Sequence, residues 1–404
     1  MLVVLQIVML SVTGFFVSYL AFLSLAALRG RGSDGFKAKI NRRFAVVVPA
    51  YNEEESITDT IRSLSSVDYD PDRFRIIVIA DNCTDRTAEI AEKEGALVMV
   101  RKSARERGKG YALRWCFDRL MASNTIYKFD AVVVVDADTI VSGNMLRVMN
   151  KYMEGGAGVV QGYLTVDSGP GAWTGEIIRI GFTLYNYVRP LARRRLGYSA
   201  GLRGNGMCFS MEVLEKVPWN AYSLTEDLEY SLRLLLNGVT VVFAPEAIGF
   251  SVVPEKADNA ESQRERWEIG RYPVLKKYAG PLLKAAFRKR SVKIFDTLVD
   301  LVTPPLVNIM LLVLLMAGLS FLLWLTGVQQ TPLYTILWLI LFGLGIFHAL
   351  MGLYVADAGW PVYRSLLHVP KYALWKVYVY FKVLLVKGRT TSWIRTSREV
   401  TGNE

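Results

Sequence analysis

Two stretches of this sequence, residues 1–28 and 301–356, carry no Asp, Glu, Lys or Arg. They limit what the chain can fold into more than any other feature. One helix crosses a bilayer core with about 20 apolar residues, so the first stretch is long enough for one span. It lacks the basic start and short apolar core of a cleaved signal peptide, so it is expected to remain as an anchor. The second stretch is 56 residues long, more than a domain of this size buries. Its middle, Gly327-Val328-Gln329-Gln330-Thr331-Pro332, is polar and turn-like. Two spans are therefore predicted, at about 297–326 and 332–356, joined by a hairpin.

Charge sets the orientation. Arg29, Arg31, Lys37, Lys39, Arg42 and Arg43 follow the first run against a single acid, Asp34. Lys284, Arg288, Lys289, Arg290 and Lys293 precede the second, and the hairpin has no Lys or Arg. Basic flanks stay in the cytosol. The expectation is a multi-pass protein of the cell membrane, with its N-terminus outside and everything from residue 43 to the second run in the cytosol. The net charge of +11 gathers beside apolar runs, which favours membrane lipids as partners and argues against nucleic acid. Cys83, Cys116 and Cys208 are odd in number and far apart, so neither a disulfide framework nor a zinc site is expected. Between 360 and 386, Arg364, His368, Lys371 and Lys382 share one helical face among Leu, Val, Tyr and Trp. That pattern suits a helix lying in the interface, kinked or started by Pro370.

Between residues 43 and 255 the periodicity changes. Apolar runs at 44–48, 75–80, 97–100 and 131–135 alternate with helical patterns at 54–66, 84–95 and 108–123. Such alternation predicts an α/β domain with a parallel sheet covered on both faces. Ligands bind beyond the carboxyl ends of such strands. Three of these ends carry Tyr51-Asn52-Glu53, Asp81-Asn82 and Asp136-Ala137-Asp138. Taken singly, Asp and Asn there could merely start turns or cap helices.

Asp136 and Asp138 follow a valine run and offer two hard oxygen donors, the kind that hold a divalent ion together with a diphosphate. Thr225-Glu226-Asp227 precedes an apolar helix. Its acids either complement the helix N-terminus or supply a carboxylate that takes a proton from a hydroxyl. Thr225 could cap that helix, although Leu228 occupies the position where a capping box has Glu or Gln. In Gln263-Arg264-Glu265-Arg266-Trp267, helical spacing puts Gln263 and Trp267 on one face with Arg266 beside them. Arg grips a diphosphate and Trp offers a flat surface to a sugar ring, yet the same residues would suit an interfacial helix. Arg107-Gly108-Lys109-Gly110 lacks the G-x-x-x-x-G-K-S/T spacing of a P-loop. A lysine between glycines at a helix start can still reach a donor's anionic or base-edge atoms.

In this order, Val48-Pro49-Ala50-Tyr51-Asn52-Glu53, Asp81, Asp136-Ala137-Asp138, Thr225-Glu226-Asp227 and Gln263 to Trp267 resemble the processive branch of glycosyltransferase family 2. That branch includes cellulose, hyaluronan, chitin and poly-N-acetylglucosamine synthases. The resemblance implies a GT-A-like, Rossmann-type nucleotide-sugar domain. It implies that Tyr51, Glu53, Asp81 and Lys109 contact the nucleoside, uridine, and that Asp136, Asp138 and Arg266 hold the donor diphosphate. Asp138 would bind the metal, Mg²⁺ or Mn²⁺. Asp227 would be the general base with Glu226 beside it. Gln263, Trp267, Gly204 and Asn205 would line the acceptor side, and Trp393 and Arg395 would belong to a gating-like segment. The implied layout is an N-terminal span at 1–28, a catalytic domain at 43–255, interfacial helices at 256–295, two spans at 297–356 and an interfacial and gating segment at 360–404.

The implied reaction is inverting transfer from a UDP-sugar to build a β-linked polysaccharide or oligosaccharide at the cytosolic face. Three spans are few for threading a polymer. That leaves a homo-oligomeric pore, an export partner, or a short or lipid-linked product. The alternative expectation is transfer of one sugar to a membrane lipid. A membrane adaptor would not need the ordered motifs.

Overall fold

The computed structural model describes residues 2–28, 41–167, 173–252 and 257–373. The chain divides into two compact units. One comprises Gly32–Pro170, Gly197–Leu298 and Thr390–Glu404; the other comprises Met1–Arg31, Gly171–Leu196 and Val299–Arg389. The segment Gly171–Leu196 thus lies inside the sequence range 43–255 but groups with the apolar helices.

The first unit is built on eight strands: β1 Phe44–Ala50, β2 Phe74–Asp81, β3 Leu97–Arg101, β4 Ala131–Val134, β5 Thr139–Val141, β6 Val159–Asp167, β7 Met207–Ser210 and β8 Val241–Val252. Their order is β3-β2-β1-β4-β7-β6-β8-β5. The strands β3, β2, β1 and β4 run parallel, as the alternating pattern predicts. Helices Ile57–Ser65, Thr87–Lys93 and Lys109–Tyr127 lie between them in sequence.

Beyond the four strands read from the sequence, the sheet becomes mixed. β7 is antiparallel to both β4 and β6, and β5 is antiparallel to β8. Apolar patterning reports burial but not strand direction, and the handedness rule governs only parallel crossovers. β7 enters the sheet after the excursion through 171–196, so no βαβ crossover fixes its direction.

The core explains why β1 is apolar throughout. Phe44, Val46 and Val48 face one layer with Ile57, Ile61, Leu64 and Met149. Ala45 and Val47 face the other with Leu113, Phe117, Trp219 and Tyr230. A strand covered on both faces reads as a continuous hydrophobic run.

Among the described residues of the second unit, three helices are long and apolar enough to cross a bilayer: Val4–Ala26, Leu306–Leu325 and Leu333–Val355. The span expected from 297 begins at 306, because Thr303-Pro304-Pro305 interrupts the preceding helix Val292–Val302. Proline cannot donate the hydrogen bond a continuous helix needs. Val17, Leu20, Val313 and Trp338 fill the space among the three helices. Gln6 donates to Ser320 at 3.1 Å and accepts from Gln329 at 2.5 Å, while Ser24 bonds His348 Nδ1 at 2.7 Å. In a bilayer, such polar pairs would join helices that hydrophobicity alone does not drive together. The outer faces are apolar, as at Leu315, 68% exposed, and Ile340, 58% exposed. A helical insert also belongs to this unit: Trp173–Phe182, a π-helical turn Thr183–Val188 and Arg189–Arg195. Arg189 and Arg193 both donate to the Asp300 carboxylate, at 3.2 and 2.8 Å. The helix Trp360–Ser365 starts where the interfacial segment was expected.

Candidate active site

β1, β2 and β4 are neighbours, so their carboxyl ends lie side by side. Asn52 and Asn82 follow β1 and β2 in left-handed backbone, with φ of 55° and 56°. Asparagine tolerates that region better than most residues. Their side chains lace the strand ends together: Thr84 N–H donates to Asn52 Oδ1 at 2.8 Å, and Ser103 N–H donates to Asn82 Oδ1 at 2.8 Å.

At this edge Glu53 accepts from Ser56 Oγ at 3.0 Å, and its own N–H donates to Thr87 Oγ1 at 2.8 Å. Tyr51 sits half-buried at the end of β1. Asp81 is buried and accepts from Arg101 Nη1 at 2.7 Å. Burial raises its pKa, and the Arg101 guanidinium opposes that rise. The register that pairs Asp81 with Arg101 across β2 and β3 creates this ion pair. Sequence reading missed Arg101 because parallel register is not written in either strand.

The centre of the site is Lys109. Gly108 precedes it with φ +110°, a conformation open to glycine and strained for other residues, and the helix Lys109–Tyr127 begins there. The Lys109 ammonium donates to Asp136 Oδ1 and to the Gly204 carbonyl, the latter at 2.6 Å. Gly204 has φ +80°, and a Cβ there would lie 3.4 Å from Asp227 Oδ2. The site therefore gathers Lys109, Asp136, Gly204 and Asp227. Glu226 completes the group, since a Cβ on Gly110 would lie 3.4 Å from its Cβ.

Burial is the largest influence on these acids. It pushes Glu226 up to about 7, with Asp227 and Asp136 adding to the rise and Lys109 opposing it. Burial also raises Asp227, against the Leu228 N–H and the Lys109 and Arg203 cations. For Lys109, burial works downward. Asp136, Glu226 and Asp227 outweigh it and hold the ammonium above the usual lysine value.

Asn205 was expected to line the acceptor side, but its side chain is buried. It accepts from Asp136 N–H at 3.2 Å and donates to Thr139 Oγ1 at 2.6 Å. It braces the D-x-D turn from behind. Gln161, also buried, fixes the same loop by donating to the Asn205 carbonyl at 2.7 Å and accepting from Arg203 N–H at 2.8 Å. Both bonds depend on β6 lying beside β7, which no local pattern announces.

Thr225 has no side-chain capping bond; its hydroxyl donates to the Gly270 carbonyl at 3.1 Å. Glu229, buried, accepts from Tyr222 N–H and Ser223 N–H at 3.2 Å each and from Lys277 Nζ at 2.6 Å. These bonds fasten the Thr225-Glu226-Asp227 turn to the helix Ala257–Arg288. Gln263, Arg266 and Trp267 lie on that helix, seven, four and three residues before Gly270, the spacings of one helical face. Their side chains lie outside the described residues, as do Trp393 and Arg395 entirely.

Asp136 and Asp138 follow β4 on one turn, and Thr139 Oγ1 donates to Asp138 at 3.4 Å. Among the described residues, no three carboxylate, imidazole or thiol groups are arranged so that they could hold a metal ion by themselves. The two aspartates supply a partial set of hard oxygen donors, which fits Mg²⁺ or Mn²⁺ shared with a diphosphate.

A parallel half-sheet delivering D-x-D at its carboxyl edge, continued by an antiparallel β7, defines a GT-A-like fold. A mannosyltransferase from Pyrobaculum calidifontis, solved with GDP-Man and Mn²⁺, shares it at 16% identity and a TM-score of 0.56, over 89% of this chain and 100% of that one. The profile of the family described as "Glycosyltransferase like family 2" matches residues 41–270, and the chain belongs to glycosyltransferase family 2. Similar curated proteins include a beta-monoglucosyldiacylglycerol synthase of Nostoc, 27% identical over 64% of this chain and 55% of that protein. A poly-beta-1,6-N-acetyl-D-glucosamine synthase of Staphylococcus aureus is 27% identical over 57% of this chain and 54% of that protein. The chain thus spans about half the length of these relatives.

Proposed function

We propose that the chain is a membrane-embedded inverting glycosyltransferase that moves a sugar from a nucleoside diphosphate donor to a hydroxyl of a membrane-held acceptor. The observation that carries this reading is the convergence of Lys109, Asp136, Glu226 and Asp227 at the carboxyl edge of the sheet. A base and a diphosphate-binding group must stand on opposite sides of an anomeric carbon. Asp227 takes the proton of the attacking hydroxyl. The new O–C1 bond forms as the C1–O bond to the diphosphate breaks, and the nucleoside diphosphate leaves with the bonding electrons. One displacement inverts the anomer, so an α-linked donor gives a β-linked product.

Lys109 and Arg266 steady the leaving diphosphate. A divalent ion, Mg²⁺ or Mn²⁺, held by Asp138 beside Asp136 would neutralise the charge that develops there. Tyr51, Glu53 and Asp81 lie where the nucleoside, uridine, would bind, and Asp81 reaches it as part of its pair with Arg101. Trp267 and Gln263 serve the acceptor, and Trp393 and Arg395 serve closure over the donor.

A lipid acceptor suits the apolar unit better than a threaded polymer. Its three candidate spans pack around a filled core of Val17, Leu20, Val313 and Trp338. Similarity to the glucosyldiacylglycerol synthase supports this reading. Polymer synthesis is the second reading, supported by the ordered motifs and the similarity to the poly-N-acetylglucosamine synthase. It requires a homo-oligomeric pore or an export partner.

The test uses purified full-length protein, labelled nucleotide sugars and membrane lipids. Labelled product that extracts into organic solvent is expected. Water-soluble polymer would sustain the second reading, and no transfer from any nucleotide sugar would refute both.

A further inference from the structure

The sequence reading assigned Lys109 to the nucleoside, but the structure puts its ammonium among carboxylates. It bonds Asp136 Oδ1 on the D-x-D turn and the Gly204 carbonyl on the loop beside Asp227. Asp136, Glu226 and Asp227 all act on it, and it in turn opposes the rise that burial gives Glu226 and Asp227. An ammonium at that point does for Asp136 what a divalent ion would do. It satisfies one carboxylate oxygen and offsets the repulsion among the acids. The two cannot share the same oxygen at full strength.

We propose that Lys109 is a resident counter-cation that keeps a divalent ion off Asp136 in the free protein and gives up that place when a nucleoside diphosphate arrives. The exchange follows from charge. A diphosphate brings acceptor oxygens that draw the ammonium from Asp136, and the released carboxylate then shares a divalent ion with the same diphosphate. Gly108 supplies the pivot, since its φ of +110° leaves the helix start with no side chain at the bend. The consequence is an order of binding in which nucleotide recruits metal. This rests on the reading of the site as a nucleotide-sugar site.

The experiment titrates Mn²⁺ into full-length protein in detergent, followed by electron paramagnetic resonance, without nucleotide. Wild type is expected to bind weakly. Lys109→Met should bind on the order of ten-fold more tightly, because removing one charge near contact distance is worth at least that factor at intermediate dielectric. Lys109→Arg keeps the charge and should stay near wild type. In Lys109→Met with Asp136→Asn, the gain should vanish. Equal Mn²⁺ affinity in wild type and folded Lys109→Met, checked by thermal unfolding, overturns the proposal. So does a gain that survives Asp136→Asn. A separate titration of wild type with UDP and Mn²⁺ reports on the transferase reading, so the two can fail independently.

Discussion

At the head of the helix Glu226–Leu236 two adjacent carboxylates are held in a partly buried position opposite one lysine. Burial pushes Glu226 up to about 7 and raises Asp227 as well. A base must be ionised to accept a proton, and burial moves the protonation of Asp227 above that of an ordinary aspartate. The expected kcat/KM therefore falls on the acid side at a higher pH than an ordinary aspartate would give and levels off as pH rises, measured with buffers of constant ionic strength. Asp227→Asn should lower transfer by about 10² to 10⁴-fold while UDP binding persists. Transfer that survives this change would remove Asp227 as base. Asn205→Ala tests the brace behind Asp136. It removes the acceptor of the Asp136 N–H, at about 1–3 kcal/mol for a buried group left unpaired, and takes one bond from the Thr139 hydroxyl, which keeps Asp138. A lower melting temperature together with weaker donor binding is expected. Weaker acceptor use alone would return Asn205 to the acceptor side. From sequence, Asn205 could be seen as a polar residue near glycines, but its inward direction could not.

The helix Ala257–Arg288 and the turn at Thr225 meet through Gly270. A Cβ there would lie 3.0 Å from Thr225 Cγ2 and 3.1 Å from Leu224 Cβ. Gly270→Ala should press the helix off the catalytic turn, at about 1–3 kcal/mol for an overpacked contact. The expected readout is lower kcat with unchanged far-UV circular dichroism. Thr225→Ser removes the methyl at the contact, so the double variant should recover part of the loss. Additive losses would place the effect elsewhere. Elements with strong periodicity were legible in the sequence: β1, β2, β4 and the helix Lys109–Tyr127 all lie where the pattern puts them. Gly270 carries no such signal, because a glycine inside a helix looks like a flaw until its neighbour is known.

For the molecule as a whole, the basic flanks predict one orientation. A reporter inserted in the hairpin near residue 330 should be active outside the cell, and one inserted in the basic segment 288–293 should be active only in the cytosol. The opposite pattern would invert the topology and place the nucleotide-sugar site away from its donor. The chain's grouping into two units was only half legible. Composition separates apolar from mixed segments, but the insert Gly171–Leu196 joins the apolar unit from within the catalytic sequence range.

The sequence by itself determined the uncharged helices, the parallel half of the sheet and the placement of acids at strand ends. Each of these is a local pattern of hydrophobicity and charge. Strand direction beyond β4, the Arg101 partner of Asp81, the brace from Asn205 and Gln161, and the seat of Lys109 among carboxylates were decided by tertiary structure. Each depends on which distant segments become neighbours, and burial then fixes both the direction of a side chain and the strength of its charge.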